Sequence, residues 1–178
     1  SAVFNSTSAS YKFYWFLAIL DAIEDGKTEI TKHELFTRMM ANAWYTVNYF
    51  QVSFGKQDKI QRAIEFLKSH EQIDVNEKKT TVINQLMNSS SKKSQAELKH
   101  FDAQVPHRFL SPWLGSGGKG DLYALSQENF NFPPYALYKD CILIQPDWLE
   151  YFKSNSGMLK DFCYWNLTLF LQSRNPNV

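Results

Sequence analysis

Tyr11–Ile23 is apolar almost all the way round, with only Lys12 and Asp21 interrupting Tyr-Lys-Phe-Tyr-Trp-Phe-Leu-Ala-Ile-Leu-Asp-Ala-Ile. A helix without a polar face belongs in the middle of a domain. Ser8 or Ser10 stands where its N-cap is needed, and Glu24-Asp25-Gly26 closes it with glycine at C′. Thr31 and Glu34 then read as a capping box, flanked by Ile30 and Leu35 at the hydrophobic-staple positions. They open a second helix that runs through Phe36, Met39, Met40 and Ala43 toward Trp44. The aromatic stretch Trp44–Phe54 fits helix and strand alike, and Gly55 ends it. Lys56–His70 puts Ile60, Ala63, Ile64 and Leu67 on one stripe, and Asn76–Met87 puts Val82, Ile83 and Leu86 inward. A second capping box, Ser94 with Glu97, predicts a short helix to about Ala103.

From Val105-Pro106 the pattern breaks. Pro106, Pro112, Pro133, Pro134 and the run Gly115-Ser-Gly-Gly-Lys-Gly120 predict a surface segment over 105–134 with a flexible loop. Tyr135–Tyr138 and Cys141–Ile144 flank Lys139-Asp140 as a small β-hairpin. Pro146 suits the first turn of a helix carrying Trp148, Leu149 and Phe152 inward. Met158–Gln172, capped by Ser156, is a last and strongly apolar helix. The expected fold is mainly α: one compact multi-helix domain over residues 1–178, with a hairpin in its C-terminal third.

Composition narrows the function classes. Hydrophobic residues make up 44 % of the 178, which excludes global disorder. The formal charge is only +1, from 19 basic and 18 acidic side chains, which disfavours a protein that coats DNA by charge alone. The charge is uneven, however: residues 56–120 carry 11 basic and seven acidic groups. Two cysteines, Cys141 and Cys163, exclude a disulfide scaffold and a four-cysteine zinc site; both read as buried, inert thiols of a cytoplasmic protein. The longest apolar run, Phe13–Leu20, is eight residues, against the ~20 that a spanning helix needs. The start at Ser1-Ala2 without Met, and the end at Arg174-Asn-Pro-Asn-Val178, read as a piece of a longer protein.

No catalytic constellation emerges. His33, His70, His100 and His107 contain no metal-ligand spacing. His100 and Asp102, two apart on a helix, do not share a face. Asp74 with Glu97-Leu-Lys99 matches a metal-nuclease spacing in letters, but the helix signal at Ser94 places the pair wrongly for it. The Gly115–Gly120 run lacks the Gly-Lys-Ser/Thr ending of a phosphate loop, leaving Lys119 at most a one-sided anion contact. What remains is basic. Lys56, Lys59 and Arg62 fall on adjacent turns of the third helix, and Lys99, Arg108 and Lys119 follow in the same third of the chain. These six are the candidate phosphate contacts, with Asp58 and Glu65 interleaved as on a solvated face. The aromatics Trp44, Tyr45, Tyr49 and Trp113 are candidate anchors for a protein partner or a second copy, the alternative being that they are core.

Several stretches together resemble the N-terminal region of bacterial HNH endonuclease-domain proteins. They are Asn5-Ser-Thr-Ser with Tyr11–Leu20, Met40-Ala-Asn-Ala-Trp-Tyr45, Phe54-Gly-Lys-Gln-Asp58, Val105-Pro-His-Arg-Phe-Leu-Ser-Pro-Trp113 and Phe170–Asn177. The resemblance implies an accessory DNA-positioning domain. The HNH module and its divalent metal would follow the Arg-Asn-Pro-Asn stretch, with no cofactor, metal or catalytic residue in this chain. Weak DNA binding, no membrane and a cytoplasmic location are the expectations. An interaction or dimerisation module without nucleic-acid contact is the competing reading.

Overall fold

The first helix is the axis of the molecule. In a computed structural model describing residues 2–5 and 7–177, α1 (Tyr11–Glu24) is buried at every position from Tyr11 to Ile23 except Lys12. Within the Asn5–Ser8 stretch Ser6 lies outside the described residues, as does Val178. The remaining elements are β1 (Glu29–Thr31), α2 (Lys32–Phe50), α3 (Ile60–His70), α4 (Lys79–Met87), α5 (Lys92–Lys99), α6 (Ser111–Leu114), α7 (Lys119–Glu128), β2 (Tyr135–Leu137), β3 (Cys141–Ile144) and α8 (Pro146–Arg174). Short 3₁₀ turns cover Ala2–Phe4, His100–Ala103 and Arg108–Leu110. The fold is mainly α with a small antiparallel sheet, and no helix among the described residues is long and apolar enough to cross a membrane. Two helices sandwich α1. One is α2; the other is α8, against which Phe13 meets Phe170 and Phe16 meets Phe152 at ring distances of 5.7 Å.

Side-chain chemistry sets the element boundaries. Thr31 caps α2 as expected, its Oγ1 accepting from the Glu34 N–H at 3.2 Å. Glu34 does not return the contact, because its carboxylate receives Lys27 and Arg38. Ser10 does not cap α1 with its side chain. Asp58 does that work from 48 residues away: one carboxylate oxygen accepts the Ser10 N–H at 2.6 Å and the other the Ile60 N–H at 2.9 Å. One buried carboxylate thus fixes the starts of α1 and α3. Burial pushes its pKa up, against those hydrogen bonds and the Arg174 charge. Asp58 is therefore not part of a solvated face, and α3 begins at Ile60 rather than Lys56. α5 starts one cap earlier than the Ser94 box implies: Ser91 Oγ accepts from the Ser94 N–H, while the buried Ser94 hydroxyl turns to Glu71.

The hairpin forms with Lys139-Asp140 at its turn, the Tyr138 N–H donating to the Cys141 carbonyl at 2.9 Å. A third strand joins it in the order β1-β3-β2, with Ile30 opposite Ile142. Cys141 is half-exposed, because only Ile142 and Ile144 of β3 face the core. Cys163 is buried and donates to the Phe13 carbonyl. Burial pushes both thiols up, Cys163 furthest. Segment 105–134 is less of a surface wrap than its composition suggests: Val105, Phe109, Leu110 and Leu122 are buried, and α7 occupies what reads as loop.

α8 runs unbroken through Ser154-Asn-Ser-Gly157. Ser156 does not cap a new helix; its hydroxyl and Lys160 both engage Glu24 of α1. A Cβ on Gly157 would meet nothing within 4 Å. Gly157→Ala should therefore stabilise the fold by about 0.5–1 kcal/mol, the helix-interior difference between the two residues. An upward shift of the urea midpoint at unchanged slope is the expected result; a downward shift would mean the helix needs its glycine.

Candidate functional site

The start of α2 gathers charge from four segments. Lys32, its first residue, is buried, with a side chain 5 % exposed. All three of its ammonium protons have partners: Asp102 Oδ1 at 2.8 Å, the Lys139 carbonyl at 3.0 Å and the Tyr123 hydroxyl. Lys119 Nζ binds the other Asp102 oxygen at 2.9 Å. Both ammoniums lie over the Tyr123 ring, at 4.6 and 5.7 Å from its centroid. Burial and the Asp102 charge push the Tyr123 hydroxyl up to about 12. For Asp102, burial raises the pKa, but hydrogen bonds and charge from Lys32 and Lys119 outweigh it and hold the carboxyl below its ordinary value. His107, also buried, is held below its ordinary value by burial and by the charges of Arg108 and Lys119.

An open cavity of about 550 Å³ adjoins this node. Its floor includes Phe36 and Met87, and its polar lining includes Lys32, His33, Gln95, Lys99, Asp102, Lys139 and Asp140. Counting Lys119, four lysines stand against two carboxylates there, a local excess on a chain whose total charge is only +1. Such an opening can hold an oxyanion by charge and by the free donors of Lys99 and Lys139.

Of the six candidate basic residues, the structure brings Lys99 and Lys119 to this opening, and Arg108 to the neighbouring turn beside His107 and Lys12. Lys119 is not a free anion contact, since Asp102 already holds it. Lys56, Lys59 and Arg62 do not lie on adjacent turns of one helix. Lys56 precedes α3, Lys59 is its N-cap and gives its N–H to the Tyr11 hydroxyl at 2.8 Å, and only Arg62 is inside. All three are exposed, and none joins an ion pair among the described residues. Lys32 and Lys139 escape a reading of the sequence, because each looks like an isolated surface lysine until the fold places them together.

The other candidate groups separate. Asp74 lies in a loop, its carboxylate taken by the Asn76 N–H, while Glu97 and Lys99 belong to α5. Asp102 is occupied by lysines rather than by His100. Among the aromatic candidates Trp44 is core, its Nε1 donating to the Asp74 carbonyl. Trp113 is half-buried and packs edge-on to Trp148 at 5.6 Å. Tyr45 and Tyr49 are exposed and stacked at 4.6 Å. A larger apolar surface lies on α8, where Tyr151, Met158, Phe162, Trp165 and Leu169 are exposed while Phe152, Cys163, Leu167 and Phe170 face inward. No family model matches the chain, and neither a curated protein nor a solved structure does.

Proposed function

We propose that this chain is an accessory domain that holds nucleic-acid phosphates and positions the duplex for cleavage by an HNH-type module elsewhere in a longer cytoplasmic protein. The observation that supports this best is the lysine-rimmed opening at the start of α2, with Arg108 on the next turn. The chain's own part is electrostatic. Lys99 and Lys139 supply donors, and Lys32 and Lys119 supply charge held in place by Asp102 and Tyr123. The divalent ion and the catalytic groups belong to the cleaving module, as the likeness to HNH proteins implies. A second reading, an interaction module, is supported by the exposed apolar face of α8.

Titration of a labelled duplex at 50 and 200 mM salt tests the first reading. Three to five phosphate contacts give a log–log salt slope of about −2.7 to −4.5, with a dissociation constant near ~10⁻⁴–10⁻⁶ M. Lys99→Glu with Lys139→Glu should weaken binding on every sequence alike and flatten the slope by about 2, because phosphate contacts position and do not specify. The triple reversal at Lys56, Lys59 and Arg62 tells whether the start of α3 belongs to the same footprint. Binding insensitive to salt or to the Lys99/Lys139 reversal would remove this reading.

A further inference from the structure

Five of the six exposed large apolar residues of α8 follow a rule, the sixth, Tyr164, lying off their line beside Tyr14 and Thr46. Tyr151, Met158, Phe162, Trp165 and Leu169 are separated by seven, four, three and four residues. That is the 3.5-residue repeat with which one helix packs along another. Asn155 occupies the intervening position. Lys160 lies on the opposite side of the helix, bound to Asp21 and Glu24 at 2.8 and 2.5 Å, and the exposed Asp161 stands at the edge of the line rather than in it. α8 therefore carries two apolar faces, and the domain's own core uses only one.

We infer that the second face pairs with the same face of a second copy of this chain, the two α8 helices running antiparallel about a two-fold axis near Lys160. In that register Met158 meets Phe162 of the other copy, Tyr151 meets Leu169, and Asn155 meets Trp165. Size complementarity selects it. Trp165, 65 % exposed, arrives beside a groove of about 170 Å³ between the N-terminal turn and α8, lined in part by Val3, Phe4, Tyr151, Leu159 and Phe162. In a parallel pair Trp165 would meet its own copy and the groove would stay empty. Large side chains set opposite small ones and openings pack better than like against like.

The area suffices. The five side chains are 40–65 % exposed; at ~150–250 Å² for a large aromatic they offer on the order of 500 Å² per copy. A pair then buries about 1,000 Å², the lower bound of a specific interface, before the groove and the flanking residues are counted. The two Asp161 carboxylates meet at the rim, in water, where like charges cost little. The pairing does not rest on DNA binding, and it is tested without DNA.

Sedimentation equilibrium of the 178-residue chain at 1–100 μM should show a monomer–dimer equilibrium. Trp165→Glu, on an exposed position, should fold with unchanged circular dichroism and raise the dimer dissociation constant at least ~30-fold, as loss of an interface anchor does. In a Cys141→Ser background, Asp161→Cys sits beside the axis and should cross-link to its own copy on mild oxidation. Gln172→Cys, twelve residues from the axis, would be ~36 Å from its copy at 1.5 Å rise per residue and should not. A chain monomeric at 100 μM, including one that instead sediments with lipid vesicles, would overturn the proposal. So would a dimer that survives Trp165→Glu, or one that cross-links equally through both cysteines.

Discussion

Lys32→Ala is expected to destabilise the fold by about 3 kcal/mol, the lower end of what breaking a buried ion pair costs. The lower end applies because Asp102 keeps Lys119 and some water. The loss is still large, because the Lys32 ammonium ties α2 to the Asp102 turn, to Tyr123 of α7 and to the Lys139 carbonyl of the hairpin, leaving only the backbone bond from the Lys32 N–H to the Asp140 carbonyl when it is removed. Lys32→Met combined with Asp102→Asn should cost less than the two single changes together, since no buried charge is then left without its partner and Lys119, which also loses Asp102, is exposed to water. The pH dependence has a definite sign. Asp102 is held below its ordinary value in the folded state, so its contribution is present above about pH 4 and is lost as pH falls through the folded value. Lys32→Ala removes part of that depression and should shrink the acid-side loss of stability. Urea unfolding between pH 3 and 7 reads both effects. A cost below about 1 kcal/mol would mean that water replaces the ammonium and that the node is not structural.

How far the sequence revealed this molecule differs from element to element. α1 and the Thr31 cap were legible, because apolar positions without a polar face and a capping residue are local signals. β1 was not: three residues carry no alternation, and Glu29–Thr31 is a strand only because β3 offers it an edge. α7 was masked by the glycines before it. The continuity of α8 was hidden by Ser154-Asn-Ser-Gly157, residues that favour a break in isolation but stay helical when Phe152 and Cys163 are packed on α1. The site divides the same way. Basic character in Lys99, Arg108 and Lys119 could be read off the chain. The opening could not, because Lys32, Lys99 and Lys139 belong to elements joined only by tertiary contacts. The outward face of α8 went unseen for a related reason: apolar residues on a helix read as core, and a second apolar stripe is told from the first only by what lies against it.

Tyr135→Phe is expected to cost about 2–6 kcal/mol, more than its single lost oxygen suggests. The Tyr135 hydroxyl sits in the core with no exposure. It accepts the Trp15 Nε1–H at 2.9 Å and donates to the Pro106 carbonyl at 2.7 Å. Burial holds its pKa well above the ordinary value, so the proton it donates is always there. Removing the oxygen strands a donor and an acceptor, and each buried group left without a partner costs about 1–3 kcal/mol. Trp15→Phe made together with Tyr135→Phe should cost less than the two changes summed, because the stranded donor disappears with the indole. The consequence reaches the basic surface. Pro106 opens the segment that carries Arg108 and Lys119, and its carbonyl is what the Tyr135 hydroxyl holds. Amide exchange in the Tyr135→Phe variant should therefore rise first over 105–114, ahead of α1 and α2. A variant that keeps wild-type protection over 105–114 and loses less than about 1 kcal/mol would show that this hydroxyl is not the tie between core and segment.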